Sequence, residues 1–270
     1  MTLLLAVCLL HGCNSWFYYP NQVIYGSAAS YGLDAQDVAF AAPGGPRLHG
    51  WWTPARGEAQ GTVVYCHGNY GNLTHHAGIV RWFPARGFNL LIFDYRGFGR
   101  SEGSVDRAGT VLDAIAAIDF ALARDPHRTV VFGHSLGGAV GLVAVASRPA
   151  VRAIAVESTF YSYRAAARCV APALGFMVPL LVSDGFDPVD ALPQIPPRPL
   201  LVIHGTDDEI TPFQLGRELF DRAEDPKTLR VVKGGGHVTP WVSEREKFEA
   251  YLCGFFRASI RRGGVSSTGR

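Results

Sequence analysis

Apolar residues along this chain gather into short runs at 62–66, 89–93, 129–132, 151–156, 200–204 and 228–232. Runs of this kind, bounded by turn-forming residues, read as strands, and the most apolar of them as strands buried on both faces. Between them, helical spacing of apolar side chains recurs over 75–86, 107–124, 139–147, 213–223 and 240–256. Such alternation predicts the α/β class, a mostly parallel sheet wrapped by helices. Ahead of it, 38–40 and 48–52 read as two antiparallel strands across the turn Pro43-Gly44-Gly45-Pro46. One stretch breaks the rhythm. About forty residues separate Glu157 from Pro199, where a tight connection needs only a few. Residues 161–169 and 173–182 each read as a helix there, so a small helical insert is expected at about 158–199. Its role is either a modest lid or pocket wall, or packing alone.

Composition narrows the picture. A chain of 270 residues with 48% hydrophobic residues can bury a large core as one domain. A net charge of +2 without a clustered basic face leaves nothing to attract nucleic acid. The basic end, 259–270, reads as a frayed tail. Five cysteines follow neither a metal spacing nor a disulfide framework, and Cys66 and Cys253 lie in apolar runs as buried thiols. No Gly-rich phosphate loop and no metalloprotease motif is present, so neither a cofactor nor a metal is expected.

The N-terminus adds a location. Residues 2–10 are almost purely apolar, too short for a spanning helix, and followed by His11-Gly12-Cys13. A short apolar stretch closed by a small residue is a signal feature. With cysteine next, residues 1–13 resemble a bacterial lipoprotein signal. That resemblance implies an exported chain attached to a membrane through lipidated Cys13. The other reading is a buried N-terminal helix in a cytoplasmic protein. An aromatic extension, 14–36, follows and packs on the main domain at 37–258.

The chemistry centres on Gly133-His134-Ser135-Leu136-Gly137, placed between an apolar strand and a breaker-free helix. G-x-S-x-G in that setting is a nucleophile elbow, a sharp turn that lifts Ser135 clear of the sheet. A serine hydroxyl is a weak nucleophile until a base takes its proton, and the base needs an orienting acid. Both are expected further along, each just past a strand. His204-Gly205-Thr206-Asp207-Asp208 supplies two adjacent aspartates, and Gly234-Gly235-Gly236-His237 a histidine on a flexible loop. Of nine histidines, His237 alone follows serine and acid after a strand. His134 and His204 read as internal loop supports, and His75-His76 as exposed helix surface. His67-Gly68-Asn69 follows the strand that precedes the first helix, where an oxyanion hole draws on backbone N–H groups. Those of Asn69 and Leu136 are the candidates.

Several of these runs carry a resemblance. The stretch from His204 to Thr211-Pro212 resembles the H-G-x-x-D-x-x-V-P signature of α/β-hydrolases, which aligns on Asp208 and leaves Asp207 as a turn residue. The runs 67–72, 93–103 and Glu157-Ser158-Thr159-Phe160 resemble a branch of that superfamily holding protein depalmitoylases and prolyl-aminopeptidase-like serine hydrolases. The resemblance covers roughly residues 37 to 258. It implies the α/β-hydrolase fold and a catalytic Ser135, Asp208 and His237 acting on a small-molecule or acylated substrate, ester or thioester first. A serine aminopeptidase or amidase, or a non-catalytic binding protein on the same fold, are the alternatives. The 94–103 run is expected to be a structured loop beside the site, without a catalytic role. Tyr70 stands where relatives often have alanine and would narrow the pocket mouth.

Overall fold

The computed structural model describes residues 17–238 and 244–264. In chain order its strands are β1 (Tyr19–Pro20), β2 (Gln36–Phe40), β3 (Leu48–Thr53), β4 (Thr62–Cys66), β5 (Tyr70–Gly71), β6 (Asn89–Phe93), β7 (Thr129–His134), β8 (Ile154–Glu157), β9 (Leu200–Gly205) and β10 (Lys227–Val232). The helices are α1 (Leu73–Val80), α2 (Arg107–Leu122), α3 (Leu136–Ala146), α4 (Tyr163–Val170), α5 (Val178–Leu181), α6 (Pro188–Ala191), α7 (Phe213–Arg222) and α8 (Arg245–Gly264).

Eight strands form one sheet in the order β10-β9-β8-β7-β4-β6-β3-β2. From β6 to β10 all pairings are parallel, and β3 pairs antiparallel with both β2 and β6. Every residue of β4, β7, β8 and β9 is buried, as continuous apolar runs with helices on both sides require. Alternate side chains divide between two cores. Val63, Tyr65, Val130 and Phe132 pack with α1 and α8, and Val64, Cys66 and Val131 with α2 and α3. Each such side chain contributes about 1.5–3 kcal/mol by leaving water, which outweighs any local preference. The strand order reverses around β4 and β7, and ligands of open α/β sheets bind outside the carboxyl ends of strands at such a point. The expected fold is the observed one.

Several boundaries move. The aromatic extension is part of the domain. Tyr18 lies in one core and Leu33 in the other, while β1 pairs in parallel with β5. The closing helix runs to Gly264, so the first half of the tail expected at 259–270 is helix. Ser259 is buried with its hydroxyl on the Phe255 carbonyl (2.8 Å), and Ile260 extends the apolar face of Leu252 and Phe256. The expected helix over 173–182 is broken into a 3-10 turn, Pro172–Leu174, and the short α5. Proline lacks the N–H an interior helical position donates, so Pro172 and Pro179 sit in first turns instead. The signal segment at 1–13, residues 240–243 of the expected last helix and the end of the tail lie outside the described residues.

Candidate active site

Ser135 occupies the turn between β7 and α3 with φ 54° and ψ −122°, a conformation L-residues rarely adopt. Such backbone costs on the order of 1–3 kcal/mol and persists only where the surroundings enforce it. Here they do so by close backbone packing. A Cβ on Gly137 would collide with the carbonyl oxygens of Cys66 and His67, and one on Gly133 with the backbone of Gly137 and Gly138. The turn is also pinned from β8. Ser135 N–H donates to the Glu157 carbonyl (2.8 Å), and Thr159 Oγ1 donates to the Ser135 carbonyl (2.8 Å). Below the serine, His134 Nδ1 meets the buried Glu157 Oε2 at 3.2 Å. Burial pushes the His134 imidazole toward its neutral form, in which Nδ1–H is the donor.

The acid and base come from the loops after β9 and β10. Asp208 is buried, and its carboxylate spans His237 Nδ1 at 3.0 and 2.9 Å. The N–H groups of Ile210 and Thr211 donate to its Oδ1 (3.0 and 2.7 Å), and His204 Nε2 lies 3.3 Å from Oδ2. Burial by itself would raise this carboxyl's pKa. The bonds from His204 and His237, the His237 charge and the Thr211 N–H outweigh that and hold it well below the usual carboxylate range. Asp207 is different. It is exposed, its N–H donates to the Gly235 carbonyl (2.9 Å) and its carboxylate accepts from Thr206 Oγ1 (2.7 Å), away from His237. The His237 carbonyl accepts from Ser158 Oγ (2.9 Å), which ties the loop to β8. The His237 ring lies 5.0 Å from that of His134, the residue next to Ser135. Among the described residues no hydrogen bond joins the Ser135 hydroxyl to His237. Catalytic contacts commonly tighten only when substrate is bound.

On the other flank, the loop after β4 runs beside the elbow. A Cβ built on Gly68 would lie 3.7 Å from Ser135 Cβ. Neither the Asn69 N–H nor the Leu136 N–H donates to a backbone carbonyl among the described residues. The loop is held by a part of the chain whose role sequence reasoning missed. Tyr19 N–H donates to the Asn69 carbonyl (2.8 Å) and Asn21 N–H to that of Gly71 (2.9 Å). The buried Asn72 amide donates to the carbonyls of Asn21 and Val23 (2.8 Å each), while its oxygen caps α1 at Thr74 N–H (2.9 Å). A two-residue strand whose partner is fifty residues away leaves no periodic signal. The Glu157-Ser158-Thr159 run did leave one, its position directly after a strand.

His75-His76, expected on the exposed surface, is partly buried against this loop. The His76 ring stacks on the fully buried His67 (5.1 Å), and its Nε2 meets the Tyr70 carbonyl (2.9 Å). Burial, aided by His76, pushes the His67 imidazole down to about 3, and His76 shifts in the same direction. Tyr70 itself is exposed, with its ring 5.2 Å from that of His75. In the 94–103 loop, the buried Asp94 carboxylate accepts from Leu73 N–H (2.7 Å) and binds the loop to the start of α1. Among the described residues no group of three or more His, Cys, Asp or Glu side chains is arranged to hold a metal ion.

Comparison with known proteins gives matches of three kinds. A family model described as serine aminopeptidase, S33, matches residues 57–185. The uncharacterised protein YfhR of Escherichia coli (strain K12) is 36% identical over 233 residues, 83% of this chain and 80% of that one. The α/β hydrolase domain-containing protein WAV2 of Arabidopsis thaliana is 31% identical over 240 residues, 82% and 78% of the two chains. Among solved structures, the Pyrococcus furiosus esterase Pf2001 superposes with a TM-score of 0.75 at 18% identity, over 90% of this chain and 98% of that one. The α/β hydrolase GrgF from Penicillium sp. sh18 gives 0.72 at 19%, over 85% and 100%.

Proposed function

Because this chain belongs to the α/β-hydrolase superfamily, we propose that it is a serine hydrolase that cleaves carboxylic esters or thioesters through an acyl-enzyme. One observation carries the reading. The buried Asp208 carboxylate grips Nδ1 of His237 in a loop that converges on the strained turn bearing Ser135. With Nδ1–H given to Asp208, Nε2 of His237 is the ring nitrogen left to take the Ser135 proton. Ser135 Oγ then attacks the acyl carbon. The N–H groups of Asn69 and Leu136 receive the oxyanion, and losing one such donor typically costs about a hundredfold to a thousandfold in rate. His237 returns the proton to the leaving group, and water, activated by the same base, releases the acyl chain. Reaction of the purified chain with a fluorophosphonate probe tests the reading. Labelling that disappears in Ser135→Ala is expected. An unlabelled native chain would favour a binding protein on this fold.

The description of the matching family model favours a second reading, cleavage of peptide or amide bonds. Aminoacyl anilides assayed beside ester substrates decide between them through their relative kcat/KM. We also propose export, with attachment through a lipidated Cys13. Mass spectrometry of membrane-fraction protein tests this, and a chain retaining residues 1–12 in the soluble fraction would overturn it.

A further inference from the structure

The exposed large apolar side chains of this molecule are unevenly placed. Tyr19, Tyr25 and Tyr70 stand exposed at the loop after β4, Ile210 two residues past Asp208, and Val238 next to His237. All belong to the end of the sheet that carries Ser135. The insert, which leaves β8 beside the same site, adds the most prominent ones. Phe176 is 80% exposed, Leu180 76% and Val170 75%. Single exposed apolar residues are ordinary, but a gathering on one face marks an interaction surface.

We propose that this face docks on a lipid bilayer, with Val170, Phe176 and Leu180 of the insert entering the boundary between headgroups and acyl chains. Three features favour lipid over a protein partner. The side chains project from a helix end, a loop and the four-residue α5, which suits a fluid that closes around knobs. From Tyr163 to Ser183 the only charged residues are Arg164 and Arg168, with no carboxylate to repel anionic headgroups. Asp184 pairs with Arg164 at 2.5 Å, and Arg168 is exposed. Finally, the polypeptide leads there. The Phe17 ring packs on Tyr163 (5.0 Å) and Phe160 (6.3 Å) at the base of the insert. The apolar residues 2–10 precede it by only six residues, a reach of at most about 20 Å. Docked this way, the site faces the acyl chains of the bilayer, whichever bond it cuts.

The test uses the full chain with Cys8→Ser and Cys13→Ser, which removes lipidation. Cys169, exposed beside Val170, is then available for a polarity-sensitive dye, since Cys66 and Cys253 are buried. With vesicles of phosphatidylcholine and phosphatidylglycerol, the emission should shift to the blue. Phe176→Asp with Leu180→Asp should weaken vesicle partitioning about tenfold or more. Leu112→Asp, exposed on α2, should leave partitioning unchanged. Equal unfolding midpoints establish that the variants fold, and Val170→Asp replaces the pair if it does not. Absence of vesicle binding, equal binding by the double variant, or a dye shift that follows protein concentration without lipid would each overturn the proposal. The last would indicate a second copy on this face.

Discussion

Ser135 and His237 reach the same end of the sheet by different means. Around Ser135 the backbone itself is the main tool, with Gly137 pressed against the carbonyls of Cys66 and His67 and Gly133 against the start of α3. Around His237 the tools are polar: a carboxylate across Nδ1, two N–H groups behind the carboxylate, and a serine hydroxyl on the His237 carbonyl. Rigidity on the first side holds the Ser135 turn in a single conformation. Hydrogen bonds on the second hold His237 through a few polar atoms, and they make that half sensitive to the loss of any one of them.

Variants sharpen this contrast. Ser135→Ala removes one oxygen from an intact frame, so hydrolysis of p-nitrophenyl acetate should fall by up to about a millionfold with the circular dichroism spectrum unchanged. Asp208→Asn takes away only the charge and should lower kcat/KM by about 10⁴. Asp207→Asn, pointing away from His237, should change it by no more than about twofold, since surface substitutions are small in energy. The opposite ranking would shift the acid by one residue.

The next effect is one of pH. His67 is neutral in the fold with a pKa pushed down to about 3, but takes a proton near pH 6.5 once unfolded. Protons then favour the unfolded chain, so stability falls as pH drops from 6.5 toward 3. Between pH 7 and 5 this group alone removes about 2 kcal/mol. Urea unfolding of His67→Phe should show a pH dependence shallower by that amount. An unchanged slope would mean that His67 is protonated in the fold. A further effect belongs to the strap at the start of the domain. Asn72→Ala frees Asn21 and Val23 from the loop that carries Asn69, and kcat should drop about tenfold with KM little altered. A fall in the unfolding midpoint with kcat intact would make that amide structural only.

How much of this was legible beforehand follows from where the information lies. β6 could be read to the residue because Leu90 to Phe93 is a continuous apolar run set between the polar Asn89 and Asp94. The elbow was equally plain, since its glycines, its serine and its helix are contiguous. The choice between Asp207 and Asp208 rested on resemblance, and geometry separates them through which carboxylate is turned inward. His75-His76 was misread because the face of a short helix is set by what packs on it, here His67. The strap was missed for a related reason, its order coming from hydrogen bonds to residues 69, 71 and 72 and none from its own composition.

The same strap has a consequence for how the chain assembles during synthesis. Tyr19 and Asn21 are made well before their partners Asn69, Gly71 and Gly99, and the hydroxyl of Tyr18 lies 3.4 Å from that of Tyr163. Contacts of such long separation form late, because the intervening loop must close first. The other end of the site waits longer still, until β10 emerges and delivers His237. Segments far apart in the order of synthesis therefore meet at one serine. A nascent chain halted before residue 237 can fold much of its sheet while His237 is still missing from the Ser135 end.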